Sequence, residues 1–191
     1  MQSNRKSIIA YVSIIFSMIF WGISFVWTKE LLNANFPVFL ILTIRLAIAS
    51  LLMFSVFKLM GKLERIEKTD LPKFFLLALF EPFLYFIGEN FSMHFVDASF
   101  AAIMIALLPI VNPIALHIFN KDKLGWNLLF GAVISVIGII IMSINSSGEL
   151  KISWQGTLLL LLAVVSGSGY GVILSRLINK YSPITITTTQ N

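Results

Sequence analysis

The chain has 191 residues, 58% hydrophobic and only 12% charged, with no cysteine, a formal net charge of +5 and a mean hydropathy of +0.91. A soluble domain is roughly 45–50% apolar and about 25% charged, so this sequence is too apolar to cover a water-facing surface. The absence of cysteine excludes a disulfide framework and thiolate chemistry. Six membrane spans of about 20 residues each would use about 120 residues, which excludes a large extramembrane domain.

In chain order, the first apolar stretch covers residues 8–27 and follows Arg5 and Lys6. It is longer than the roughly 7–15-residue apolar core of a signal peptide and ends at Trp27 and Lys29 rather than at a small-residue cleavage site, so it reads as a span. Further apolar stretches at 37–57, 74–95, 99–119, 124–144 and 154–175 read as helices, and a seventh starts at Pro183. Lipid offers no partner for free backbone N–H and C=O groups, and the long apolar runs lack the alternation of a barrel. The expected fold class is an all-α polytopic transmembrane helix bundle.

Lysine and arginine set its orientation. One side holds Arg5, Lys6, Lys58, Lys62, Arg65, Lys68, Lys73, Lys121, Lys123, Arg176 and Lys180, the other only Lys29 and Lys151. This predicts an integral protein of the cell (plasma or inner) membrane with a cytoplasmic N-terminus. The positive charge is therefore a topology signal, and the expected partners are the lipid bilayer and a small molecule, with no nucleic acid.

An internal repeat is visible. Trp21-Gly22-Ile23-Ser24-Phe25-Val26-Trp27-Thr28-Lys29, followed by Pro37, lines up with Ser168-Gly169-Tyr170-Gly171-Val172-Ile173-Leu174-Ser175-Arg176, followed by Pro183. Five spans separate the two copies, so the second starts on the opposite side of the membrane, as in the inverted repeats of transporters. Each proline falls at the first turn of the next helix, where its missing N–H costs nothing.

These residues resemble the EamA-like transporters of the drug/metabolite transporter superfamily. The resemblance rests on Trp21, Gly22 and Lys29 at the end of span one, and on Pro37 and Arg45 in span two. It continues through Asp97-Ala98-Ser99-Phe100-Ala101-Ala102 leading to Leu108-Pro109, and the spaced Gly125, Gly131 and Gly138. Where the family has a Glu-Arg pair after span four, this sequence has Asp122-Lys123, which keeps the charges without the arginine fork. The resemblance implies ten helices in two five-helix repeats, with residues 1–147 as the first repeat and 148–191 as the beginning of the second. The chain is therefore expected to be a piece of a longer protein, or else to rebuild the missing half as a homodimer.

Ionisable groups within a span cost roughly 2.5–3.5 kcal/mol each on insertion scales and mark a pathway, a pair or a relay. Arg45 lies about 12 Å and Glu89 about 9–12 Å from the outer edge, and that matching depth predicts an ion pair. Glu81 falls about 12–15 Å from the inner edge with no basic residue at its depth. At 100° per residue Tyr85, Gly88 and Ser92 share its face, with Glu89 at the edge. Such a carboxyl suits uptake and release of a proton, or contact with a cationic substrate; a single structural hydrogen bond is the plainer alternative. Span four carries Asn112 between Pro109 and Pro113, which predicts a kink with freed carbonyls. Trp21, Trp27 and Tyr85 can stack on an organic substrate, with Trp27 equally suited to anchor the helix at the interface. Gly167-x3-Gly171 and the Gly131, Ser135, Gly138 face favour close helix packing. Asn145-Ser146-Ser147 has the form of a glycosylation site.

His94 and His117 fall at opposite ends, so no metal site is expected, and no cofactor or ATP-binding motif is present. The expected function is secondary transport of small organic metabolites or drugs by alternating access, coupled to protons through Glu81. An accessory membrane subunit is the alternative, and a membrane enzyme using Glu81 with a histidine is weaker, because no nucleophile accompanies them.

Overall fold

The computed structural model describes residues 2–121, 123–143 and 153–190. Asp122, the Asn145-Ser146-Ser147 site and the expected repeat boundary at 147 lie outside the described residues.

Every regular element described is helical. They are α1 (Gln2–Asn33), α2 (Val38–Leu59), α3 (Leu71–Ala78), α4 (Tyr85–Ser92), α5 (Ala98–Ile105), α6 (Leu108–Asn120), α7 (Trp126–Ser143), α8 (Trp154–Leu177) and α9 (Pro183–Gln190). Among the described residues five spans are long and apolar enough to cross a membrane, α3 with α4 making the third and α5 with α6 the fourth. Helix α1 runs to Asn33, about six residues beyond the expected end, so Trp27 sits inside it rather than at its tip.

Prolines place the helix starts. Pro37 stands at the N-cap of α2, Pro72 and Pro109 in the first turns of α3 and α6, and Pro183 opens α9. Ser153 caps α8 by accepting a hydrogen bond from the Gly156 amide at 3.3 Å, satisfying one of the free N–H groups of the first turn.

Two spans are broken. A single third helix over 74–95 was the expectation. Instead α3 passes through a π-helical segment, Leu79–Leu84, into α4. Glu81 is extended there (φ −145°, ψ 122°), and the Glu81–Pro82 bond is cis. The cause is Pro82: it supplies no N–H, and its ring disfavours helical geometry in the residue before it. The fourth span is interrupted between Ile105 and Leu108, one turn before Pro109, as the expected kink requires, while Pro113 lies inside a continuous α6.

Helix α8 is the centre of the bundle, with 39% of its apolar window buried against 11% for α1 and α2. It packs against α3, the π segment, α4, α5 and α6. Small residues let this happen. A Cβ on Gly88 would stand 2.5 Å from the Leu159 carbonyl oxygen and 2.9 Å from the Ala163 nitrogen, one on Gly167 2.8 Å from Leu108, and one on Gly169 2.8 Å from Phe80. The Gly131, Ser135, Gly138 face behaves differently from expectation: nothing lies within 4 Å of a Cβ on Gly131 or Gly138, and the face borders an open cavity shared with Ile103 and Ala106.

The main core joins Phe25, Leu42, Tyr85, Met93, Ile105 and Leu160. A second cluster, Phe74, Leu77, Leu177, Tyr181 and Ile186, sits at the basic end. The outward faces of α1, α2 and α7 stay apolar and exposed, Leu51, Phe20 and Ile134 among them, which is the surface a hydrocarbon solvent requires.

Gly88→Ala is expected to cost about 1–3 kcal/mol through backbone overpacking, whereas Gly22→Ala, with open space at its Cβ, leaves stability unchanged. Thermal unfolding in detergent measures both.

Candidate functional site

The third span carries a cluster of buried polar groups. Tyr85, Glu89, Asn90 and Ser92 are all at most 2% exposed, and Glu81 is half-buried at the break. Tyr85, Gly88 and Ser92 of the expected polar stripe are buried together, and Glu89 at its edge is buried with them, while Glu81 stands at the break. Once Glu81 leaves helical geometry, the 100° spacing no longer relates it to the others. Ser92 donates to the Glu89 carbonyl at 2.6 Å and Asn90 to the Phe86 carbonyl at 2.8 Å. Glu89 Oε2, Asn90 Oδ1 and Asn112 Oδ1 are buried with no hydrogen-bond partner among the described residues. Buried acceptors are nearly always paired; here Tyr85 Oη, Thr188 Oγ1 and Gln190 Oε1 are likewise unpartnered among the described residues, so unpaired polar atoms recur along the third span, on α6 and on α9.

Glu81, Tyr85 and Glu89 act on one another electrostatically, and Arg45 acts on both Tyr85 and Glu89. The expected Arg45–Glu89 ion pair is nevertheless not formed. No salt bridge joins them, and the guanidinium instead stacks over the Phe86 ring, 4.5 Å from its centroid. Trp21 packs on the main core beside Phe25 at 6.0 Å between ring centroids, while Trp27 is exposed. Asn112 faces α8, where its amide fills the space a side chain on Gly171 would need.

The structure adds partners that periodicity does not indicate. Tyr170 on α8 lies within electrostatic range of Glu81, and its hydroxyl pairs with Gln190 on α9. The signal that was available is Pro82, directly after Glu81. His94 and His117 are exposed on α4's flank and on α6, and no group of three metal-binding side chains occurs among the described residues.

Both ends of the bundle are tied. At the end carrying α4's C-terminus, Lys29 donates to the Met93 and Val96 carbonyls at 2.5 and 3.0 Å, placing a cation where the helix dipole is negative. At the basic end the segment before α3 is latched to the α8–α9 loop. Lys180 donates to Asp70 Oδ2 and Glu67 Oε2, each at 2.6 Å, and Tyr181 Oη donates to Asp70 at 2.9 Å. Lys73 pairs with Asp70 Oδ1 at 2.7 Å. The Ser182 amide donates to Glu64 at 2.7 Å, and the Glu64 amide to Thr185 at 3.0 Å. Hydrogen bonds to Asp70 and then Glu67 hold the Lys180 ammonium above the ordinary lysine range, so the latch remains charged at neutral pH.

Fold and site together define an all-α polytopic membrane protein with a broken, carboxylate-bearing span at its core. The sequence pattern of the EamA-like transporter family matches residues 8–144, and the chain belongs to that family. It is 29% identical over 177 residues to an uncharacterized transporter of Archaeoglobus fulgidus, covering 93% of this chain and 61% of that protein. It is also 29% identical over 168 residues to the uncharacterized transporter YdfC of Bacillus subtilis, covering 88% of this chain and 54% of that protein. The chain thus spans a little over half the length of these relatives. No solved structure matches significantly.

Asp70→Asn is expected to lower the thermal midpoint more than Glu67→Gln. The Asp70 side chain is only 4% exposed and accepts from three donors, while that of Glu67 is 61% exposed, and exposed pairs contribute little. Equal shifts would mean that the buried carboxylate does not organise the latch.

Proposed function

We propose that this chain takes part in proton-coupled secondary transport of small organic metabolites or drugs, by alternating access. The reading is carried by one observation: a carboxyl at a helix break inside the third span, with a second, more deeply buried carboxyl on the same span and no salt bridge to either among the described residues. A buried carboxylate without a paired cation is costly as a static feature, and the cost is met if the group exchanges a proton or meets a substrate. Glu81 is the exchanging group in this reading. In this reading Tyr85, Tyr170 and Asn112 orient the solute, Trp21 flanks its path, and Arg45 with Glu89 sets the field around it.

Residues 1–147 form the first repeat and 148–191 open the second, with the N-terminus cytoplasmic. On this assignment the latch from Lys180 to Asp70 and Glu67 crosses the repeat boundary at the cytoplasmic end. Rocking of one repeat against the other then requires that Lys180 part from both carboxylates, and the present conformation is closed at that end.

The test uses the protein reconstituted in pyranine-loaded liposomes and challenged with gradients of a panel of organic acids, amines and amino acids. At least one solute is expected to drive a change of internal pH that Glu81→Gln abolishes, with Glu30→Gln, an exposed control, behaving as wild type. Solute flux with no proton movement, unchanged in Glu81→Gln, would remove Glu81 from the mechanism.

A further inference from the structure

An apolar groove is lined by α1, α2 and the loop between them, with neither Glu81 nor Glu89 in its wall. Between α1 and α2 is a space of about 370 Å³, within the range of small-molecule sites. Its walls are apolar, with Trp27, Leu40, Ile41 and Ile44 among them, and its only charged lining residue is Arg45. The guanidinium makes no salt bridge; one face rests on Phe86, and Glu89 acts on it only through space. A guanidinium is always charged and presents donors in a planar fork that matches a carboxylate. Arg45 stands eight residues beyond Pro37, about 12 Å along the helix, so an ion bound to it lies well inside the hydrocarbon. The space is sized for a single-chain small molecule and does not hold a two-chain phospholipid with its headgroup.

We propose that this groove binds an amphipathic organic monocarboxylate, its carboxylate on Arg45 and its hydrocarbon body along the apolar wall between α1 and α2. One lining cation matches one anionic charge; of the two polar neutral residues in the wall, Ser24 and Thr28, the Ser24 hydroxyl already donates to the Trp21 carbonyl, and the rest of the wall is apolar. The proposal stands on the groove alone and does not need the transport reading.

The test is equilibrium binding of radiolabelled octanoate to the purified protein in a neutral detergent, with octanamide as the uncharged isostere and octyltrimethylammonium as the cation. Octanoate is expected to bind about tenfold or more tightly than octanamide, the difference a charge-assisted hydrogen bond makes, and the cation not to bind. Arg45→Gln is expected to erase the preference, and Arg45→Lys to keep part of it. Leu40→Trp, which fills the groove and leaves Arg45 in place, removes binding of both acid and amide. Size-exclusion elution and helical circular dichroism check that each variant is folded. Equal affinities of acid and amide in the wild type, a preference that survives Arg45→Gln, or octanoate binding untouched by Leu40→Trp would each overturn the proposal. So would displacement of octanoate by phosphatidylglycerol, which would make the groove a lipid site. Because the readout is binding, a failure here is distinct from a failure of transport.

Discussion

The close approach of α8 to the third span is the constraint on which the rest depends. In a bilayer no hydrophobic force drives helices together, so backbones approach only where side chains are small enough to permit contact. Gly88 presses on the backbone around Leu159 and Ala163, Gly167 admits Leu108, Gly169 admits Phe80, and Gly171 makes room for Asn112. Along that seam the helices fit so closely that polar atoms are cut off from any exterior. Glu89 and Asn90 are buried for this reason, and not because the third span is itself polar.

The break at Glu81 uses the same packing. A helix opened by a proline leaves backbone groups that hydrocarbon cannot satisfy, so irregular backbone is tolerated only within protein or beside a cavity. The π segment packs on α8 and on its flanking helices, and Tyr170 of α8 lies within electrostatic range of the carboxyl at the opening. Above and below, charged residues hold the ends: Lys29 against the last carbonyls of the third span, Lys180 against the acidic segment before α3. Each clamp ties the third span to another part of the chain. The third span is thereby held at both termini and irregular between them, an arrangement suited to concentrating movement at the break.

Outward from that seam the molecule relaxes. Helices α1, α2 and α7 turn large apolar side chains outward and touch fewer neighbours. Arg45 shows what happens to a charge in this looser shell. It faces an apolar groove and an aromatic ring instead of the carboxylate at its own depth, because depth along two helices says nothing about their rotation toward each other.

The all-helical membrane fold, the span positions, the family and the crowding of Gly167 and Gly171 were legible in the sequence. Each follows from a local cause: apolar length, charge asymmetry, or the absence of a side chain. The break in the third span was legible too, through Pro82, yet a periodic reading of Glu81, Tyr85, Gly88 and Ser92 passed over it and ran Glu81 into the same helix as the other three, which are buried on α4 beyond the break. The open Gly131 and Gly138 face shows the limit of the same reasoning, since a small residue permits contact without supplying a neighbour. Only the tertiary structure decided that Arg45 does not meet Glu89, that Tyr170 comes within electrostatic range of Glu81, and that Lys180 reaches Asp70 from more than a hundred residues away. The physical reason is common to all three. Sequence sets which groups lie at which height in the membrane, but the rotation of each helix about its axis is chosen by packing against all its neighbours at once.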